Sequence, residues 1–340
     1  MREFGYRRVS DVRGAVALLD AEPDARLLGG GTNLVDLMKA GVERPGLLID
    51  VRELPLDRIG GTDGGGLHIG ATVTNSDLAA HPEVRRAYPA LAQAVLAGAS
   101  GQLRNMATVG GNLLQRTRCG YFTDVTQACN KRVPGSGCPA VAGEHRNHAI
   151  LGASAHCVAV HPSDMGVALT ALDAVVSYET VDGAGELPLA ELYLPVRDTP
   201  HRETALPAGA LITGVTLPSA PVAAVSRYRK VRERASYAFA IGSVAAALDV
   251  QGAAGGARGA VVRDVRLAFG AVASRPWRAR EAERLLTGGP ASAEAFAAAL
   301  DAELAAAEAL PGNGYKVALI RNLAVALLTE LTEPTEESAG

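Results

Sequence analysis

All four cysteines of the chain, Cys119, Cys129, Cys138 and Cys157, lie in one segment, and the rest of the 340 residues contains none. A disulfide scaffold is short and cysteine-dense throughout. Four thiols gathered in one stretch of a long chain point instead to metal ligation, with two disulfides or four unrelated buried thiols as the plainer alternatives. Four thiolates can hold a 4Fe–4S cluster or one tetrahedral zinc ion. The spacing Cys119-x9-Cys129-x8-Cys138-x18-Cys157 has no C-x2-4-C knuckle of the kind zinc sites use, which weighs against zinc. His145, His148, His156 and His161 crowd the same segment, so a histidine could stand in for one thiolate. Asn130-Lys131-Arg132 and Arg146-Asn147-His148 bring positive charge and donors near the thiols, which would offset the charge of a cluster.

A second chemistry is written in glycine. Leu27-Leu28 run into Gly29-Gly30-Gly31, then Thr32, Asn33 and Leu34. Glycine lets the backbone take positive φ and approach a ligand with no Cβ in the way. Successive amides in such a turn can converge on phosphate oxygens, helped by the helix start that follows; a plain strand-to-helix turn is the bland alternative. Thr108-Val109-Gly110-Gly111-Asn112 is a second loop of the same composition, about eighty residues on. Two such loops suit one dinucleotide, whose pyrophosphate needs donors from more than one side. Position 34 is leucine, so the G-x-G-x-x-G fingerprint is incomplete, and no Gly-Lys-Ser/Thr follows. Nicotinamide and nucleoside-triphosphate chemistry are thereby disfavoured.

The elements that must position these loops follow from periodicity and breakers. Ser10 and Asp11 can cap a helix carrying Val12, Val16, Leu18 and Leu19 at helical spacing. Strands are expected at 26–28, 47–51, 67–74, 174–178 and 211–217, and helices from 34, over 90–99 and over 164–171. Pro218-Ser219-Ala220-Pro221 reads as a boundary. Beyond it the pattern gives strands at 226–231 and 265–271, with a helix or strand of small residues at 241–248. Helices are expected at 276–286, 293–310 and 315–331, and the polar tail from Glu333 to Gly340 reads as frayed. Length alone argues for more than one core.

Taken together the two glycine loops resemble those of the FAD-binding subunits and domains of the xanthine dehydrogenase and carbon monoxide dehydrogenase family. The resemblance extends through Ile69-Gly70-Ala71-Thr72-Val73-Thr74, His161-Pro162-Ser163-Asp164, Leu211–Pro218 and Lys230 with the following Arg-Glu-Arg-Ala-Ser-Tyr, and so covers nearly the whole chain in order. It implies an α+β protein: a two-part FAD-binding domain of the vanillyl-alcohol-oxidase (PCMH) type over 1–220, and a smaller α+β domain over 222–331. It implies that Leu27–Leu34 and Thr108–Asn112 hold the FAD diphosphate, with Ala71 and Thr74 also in contact. Asp164 would meet the adenosine half, and Leu211 and Lys230 would line the flavin. The position where some relatives carry an aromatic against the ring is Gly98 here, so something else must cover it; Tyr193 is a weak candidate. About fifty residues intervene between Asn112 and Ser163, where most of the family has few. This insert, over about 113–160, resembles that of bacterial aldehyde oxidoreductase FAD subunits, which implies a 4Fe–4S cluster on the four cysteines.

The implied role is electron transfer, with no catalytic acid or base in this chain. A large subunit would carry the molybdenum cofactor and a small subunit two 2Fe–2S clusters, and FAD here would pass electrons to an external acceptor. A stand-alone FAD oxidoreductase, or a scaffold with a vestigial site, are the alternatives. The net charge of −3 offers nothing to nucleic acid, and no apolar run reaches the length of a membrane span. Without an apolar run near Met1 the chain is expected in the cytoplasm, or in the periplasm if exported with a partner.

Overall fold

A computed structural model describes residues 1–252 and 259–333; beyond Glu333, the expected tail lies outside the described residues. The N-terminal part is an all-parallel sheet of order β1-β3-β2, made of β1 (Gly5–Arg8), β2 (Ala25–Leu28) and β3 (Leu47–Asp50). Parallel neighbours need crossovers, supplied by α1 (Val12–Ala21) and α2 (Leu34–Lys39). Asp11, rather than Ser10, caps α1 by accepting from the Gly14 amide at 2.7 Å. Ala15 and Val16 on that helix pack with Ala25, Ile49 and Leu54. Strand β1 escapes the periodicity argument because all four of its residues are exposed.

The second sheet is antiparallel, in the order β4-β5-β8-β6-β7. Its strands are β4 (Ile59–Gly61), β5 (Leu67–Gly70), β6 (Val175–Thr180), β7 (Gly183–Pro188) and β8 (Leu211–Leu217). Its helices are α3 (Asn75–Ala80), α4 (Pro82–Ala87), α5 (Pro89–Ala97), α6 (Gly101–Arg104), α7 (Val109–Leu113), α8 (Gly120–Thr123), α9 (Asp164–Ala171) and α10 (Leu189–Leu192). Strand β5 stops at Gly70, short of the expected Thr74, because Thr74 turns outward to cap α3, its Oγ1 accepting from the Asp77 amide at 3.1 Å. Helix α9 is buried at every position, as a helix between two sheets must be.

The chain leaves the second sheet at Leu217 and enters the third at Ser226. This third sheet is a meander, β9 (Ser226–Val231), β10 (Gly242–Gln251), β11 (Val261–Gly270) and β12 (Trp277–Arg278), covered by α11 (Arg280–Leu286), α12 (Ala293–Leu304) and α13 (Tyr315–Thr332). The ambiguous run at 241–248 is strand β10. Ala245 joins the core around α9, while Val244, Ala246 and Leu248 join the core under the C-terminal helices. A strand buried on both faces shows no alternation. The helix expected from 276 starts at Arg280 because Trp277 and Arg278 pair with β11, and the one expected to 310 ends at Leu304.

The cysteine segment, mostly irregular, is tied to the third unit. Ile150 and Leu151 donate their amides to Val272 O at 2.8 and 3.0 Å and bury their side chains in the C-terminal core. Lys316, wholly buried, donates from Nζ to Asn147 O, His148 O and Ala271 O at 3.1, 3.0 and 2.6 Å. Burial depresses its pKa to about 7, while three carbonyl acceptors favour the ammonium. Among the described residues no helix is long and apolar enough to cross a membrane.

Candidate functional site

The two glycine loops meet. A Cβ on Gly30 would overlap the Met106 carbonyl, and one on Gly29 would stand 2.7 Å from Thr108 Oγ1, so only glycine permits this contact. Together they border a cleft of about 1080 Å³, at the upper end of the ~300–1,000 Å³ usual for ligand pockets. Leu27, Gly29 to Leu34, Ala71, Thr108, Gly110, Gly111, Asn112, Asp164, Leu211 and Lys230 line it. Leu28, Thr74 and Val109 do not. Leu28 is the last residue of β2, Thr74 is turned to Asp77 (2.6 Å), and Val109 is buried in the core.

The loops differ in what they offer. Among the described residues, no amide from Gly29 to Asn33 bonds to a backbone carbonyl. Gly31 turns the chain with φ of +73°. Asn33 Oδ1 accepts from the Arg116 amide at 2.9 Å, while its Nδ2 is buried with no partner. In the second loop Val109 N bonds Val73 O (3.0 Å), Gly110 N bonds Ala71 O (2.9 Å), Gly111 N bonds Thr108 Oγ1 (3.2 Å) and Asn112 N bonds Thr108 O (2.8 Å). Both loops border the cleft, but their amides are engaged differently. The first presents a row of open donors; the second uses its amides to brace itself on Ala71 and Val73, just after β5, and on its own cap.

Asp164 and Lys230, expected to meet the adenosine half and to line the flavin, are bonded to each other. Lys230 Nζ donates to Asp164 Oδ2 at 2.8 Å and to Ala97 O at 3.1 Å, and Tyr228 Oη donates to Asp164 Oδ1 at 2.5 Å. Leu211 belongs elsewhere along the wall, in the apolar cluster with Ala25, Ile49, Val51 and Leu54. Arg234 and Tyr237, which the sequence offered only within the motif after Lys230 and with no role, and Phe239, which it passed over, reach the cleft from the β9–β10 connection. Phe239 lies half-exposed under the Arg118 guanidinium, 4.8 Å from the ring centroid. Two aromatics close together in a chain that is only 4% aromatic were the available signal. Gly98 lines the cleft and Tyr193 does not: its hydroxyl donates to Leu113 O at 2.9 Å and it packs against His161 in the core.

All four cysteines are free thiols and line one small cavity. Among the described residues no group of three or more His, Cys, Asp or Glu side chains could hold a single metal ion. His148 Nε2 lies 3.2 Å from Cys119 Sγ and His156 borders the cavity, whereas His145 is engaged with Ala140 O and Gly312 N. Burial pushes up the Cys119 thiol, and it pushes Cys157 to about 11 against the pull of Lys131. The basic residues mainly organise the segment. Arg132 donates to Tyr121 O, Phe122 O and Asp124 O at 2.8, 2.6 and 2.9 Å. Lys131 and Arg116 pair with Glu203 at 2.7 and 2.8 Å, and Arg116 also pairs with Glu43 at 2.5 Å. Burial works to raise the Glu203 carboxyl, but the two cations outweigh it and hold it low.

Residues 2–220 match the family described as the FAD binding domain in molybdopterin dehydrogenase, and residues 226–332 match the CO dehydrogenase flavoprotein C-terminal domain. The chain belongs to the FAD-binding subunits of the molybdopterin dehydrogenases. Within this flavoprotein family it is 49% identical to the aldehyde oxidoreductase FAD-binding subunit PaoB of Escherichia coli K12, over 97% of this chain and 98% of that one. It is 25% identical to the nicotinate dehydrogenase FAD-subunit of Eubacterium barkeri, over 99% and 98%. A solved carbon monoxide dehydrogenase chain from Hydrogenophaga pseudoflava superposes with a TM-score of 0.73 at 26% identity, covering 96% of both chains. The flavoprotein's α+β architecture, with its FAD-binding part and C-terminal unit, is that of these relatives.

Proposed function

We propose that this chain is the flavin subunit of a molybdenum-containing complex of the aldehyde oxidoreductase or xanthine dehydrogenase type. A separate large subunit holding the molybdenum cofactor would oxidise the substrate, and this chain would receive the electrons from a 2Fe–2S small subunit and deliver them to an external acceptor. The observation that supports this best is the row of open amides over Gly29–Asn33, facing a cleft of about 1080 Å³. FAD supplies the exchange between single-electron and two-electron carriers. The chain's residues bind and orient it. Gly30 allows close approach, the five amides and the orphaned Asn33 Nδ2 take the diphosphate, and Arg116 holds Asn33 in place. Asp164 and Lys230 neutralise each other, so positive charge at that end falls to Arg234, with Phe239 and Tyr237 as the aromatic cover that Gly98 cannot give.

For the second cavity we propose a 4Fe–4S cluster on Cys119, Cys129, Cys138 and Cys157. Its support is that four free thiols line one space without the close grouping a single ion needs, because cluster thiolates stand further apart than those around zinc. Buried thiols of raised pKa stay protonated until a metal displaces the proton. The test is the full chain isolated anaerobically, with flavin, iron and zinc counted and an EPR spectrum taken. Stoichiometric FAD with about four irons per chain is expected, without aldehyde turnover until the partner subunits are added. Cys129→Ser should lose the cluster signal and keep FAD. Unchanged iron in that variant sinks the cluster; turnover by the chain alone sinks the subunit reading in favour of a stand-alone oxidoreductase.

A further inference from the structure

A second cavity, of about 390 Å³, lies between the FAD cleft and the cysteine cavity, sharing Arg118, Asp164 and Phe239 with the first and Cys119 with the second. It concentrates unmet hydrogen-bonding capacity. Arg118 Nε, His161 Nε2 and Ser243 Oγ are all buried, border this cavity and have no partner. Native interiors leave few polar atoms unpaired, and each one left unpaired needs an explanation. All three are donors. Ser163 N–H donates to His161 Nδ1 at 3.3 Å, so the neutral ring carries its proton on Nε2. Burial holds His161 down at about pKa 3, which keeps the ring neutral at ordinary pH. Ser243 is 1% exposed.

The charges around the cavity are mostly matched. Arg146 pairs with Glu233 at 2.8 Å and Asp164 with Lys230, while Glu144 borders the cavity without an ion pair among the described residues, its Oε1 accepting from the Arg146 amide at 3.0 Å. Arg118 has no ion-pair partner among the described residues, although burial works against its charge. One half-buried cation without an ion pair, its Nε buried, and two neutral donors ask for an oxyanion, and the walls of Val167, Ile241, Ala271 and Phe239 ask for an apolar body. We propose that this cavity binds a compact organic carboxylate, whose oxygens take Arg118, His161 and Ser243 while its hydrocarbon part lies on those walls. The site shares Arg118 and Phe239 with the cleft proposed for FAD, whereas His161 and Ser243 lie outside that cleft.

Benzoate titrated calorimetrically into the full chain, with FAD counted on the same sample, should bind saturably and raise the melting temperature as its concentration rises. Benzyl alcohol, the same ring without the charge, should bind about tenfold or more weakly, since charge-assisted hydrogen bonds are lost. Ser243→Ala and His161→Gln should each weaken benzoate several-fold with FAD content unchanged. No heat and no thermal shift with benzoate, equal binding of benzyl alcohol, or wild-type affinity in both variants would overturn the proposal. Benzoate binding to a chain that contains no flavin would refute the flavin reading and leave this site standing.

Discussion

The two glycine loops have nearly the same composition and opposite uses of their backbone. Gly29–Asn33 leaves its amides open, turns at Gly31 and packs against the approach to the other loop. Thr108–Asn112 closes its amides on Val73 O, Ala71 O and Thr108, as a short capped helix does. Glycine in the first loop serves a close approach to ligand and neighbour. In the second, Gly110 sits against Ala71, where a Cβ would stand 3.2 Å from the Ala71 Cβ. A Gly-Gly pair in a sequence therefore marks where backbone comes close to something, and the hydrogen-bond pattern decides whether that something is ligand or protein.

This contrast can be broken by substitution. Gly30→Ala should have the largest effect, because its Cβ must displace the Met106 backbone; a cost of about 3 kcal/mol and loss of bound flavin are expected, read by chemical denaturation and absorbance. Asn33→Ala strips the Arg116 amide of its acceptor and removes the orphaned donor. It should cost about 1–3 kcal/mol and leave flavin weakly bound on gel filtration. Thr108→Val removes the cap of the second loop, a loss of about 1 kcal/mol visible as a lower melting temperature with flavin retained. Gly111→Ala should be mildest, at or below about 1 kcal/mol, since its Cβ meets only the rotatable Thr108 hydroxyl at 2.9 Å. Flavin loss in Thr108→Val or Gly111→Ala equal to that in Gly30→Ala would erase the distinction between the loops.

Much of the fold was legible because it rests on local signals. Asp11 before Val12, the Leu27-Leu28 strand running into glycine, and the apolar spacing of Tyr315–Thr332 each point to one element. Strands β1 and β7 were not legible, since GYRR and GAGELP lack an apolar alternation and are held by their neighbours. The residues bordering the cleft could be named from motifs, and their convergence on one space followed. Their partners could not. The bond between Asp164 and Lys230 joins positions 66 apart in the chain, and no local pattern records it. The same limit hid the docking of Ile150 and Leu151 under the C-terminal helices, because a short apolar pair carries no address.

That docking has a consequence for how the molecule would survive damage. The cysteine segment starts from Leu113, in the core of the second sheet, and is anchored again at Ile150 and Leu151, in a different core, with exposed residues Val133–Ser136 between them. A protease cut at that exposed stretch would leave two fragments, each with its new end fastened to a separate hydrophobic body. The two halves are clasped together by β5 paired with β8 and by α5 against α9 and β9, so they should travel as one particle and come apart only in denaturant.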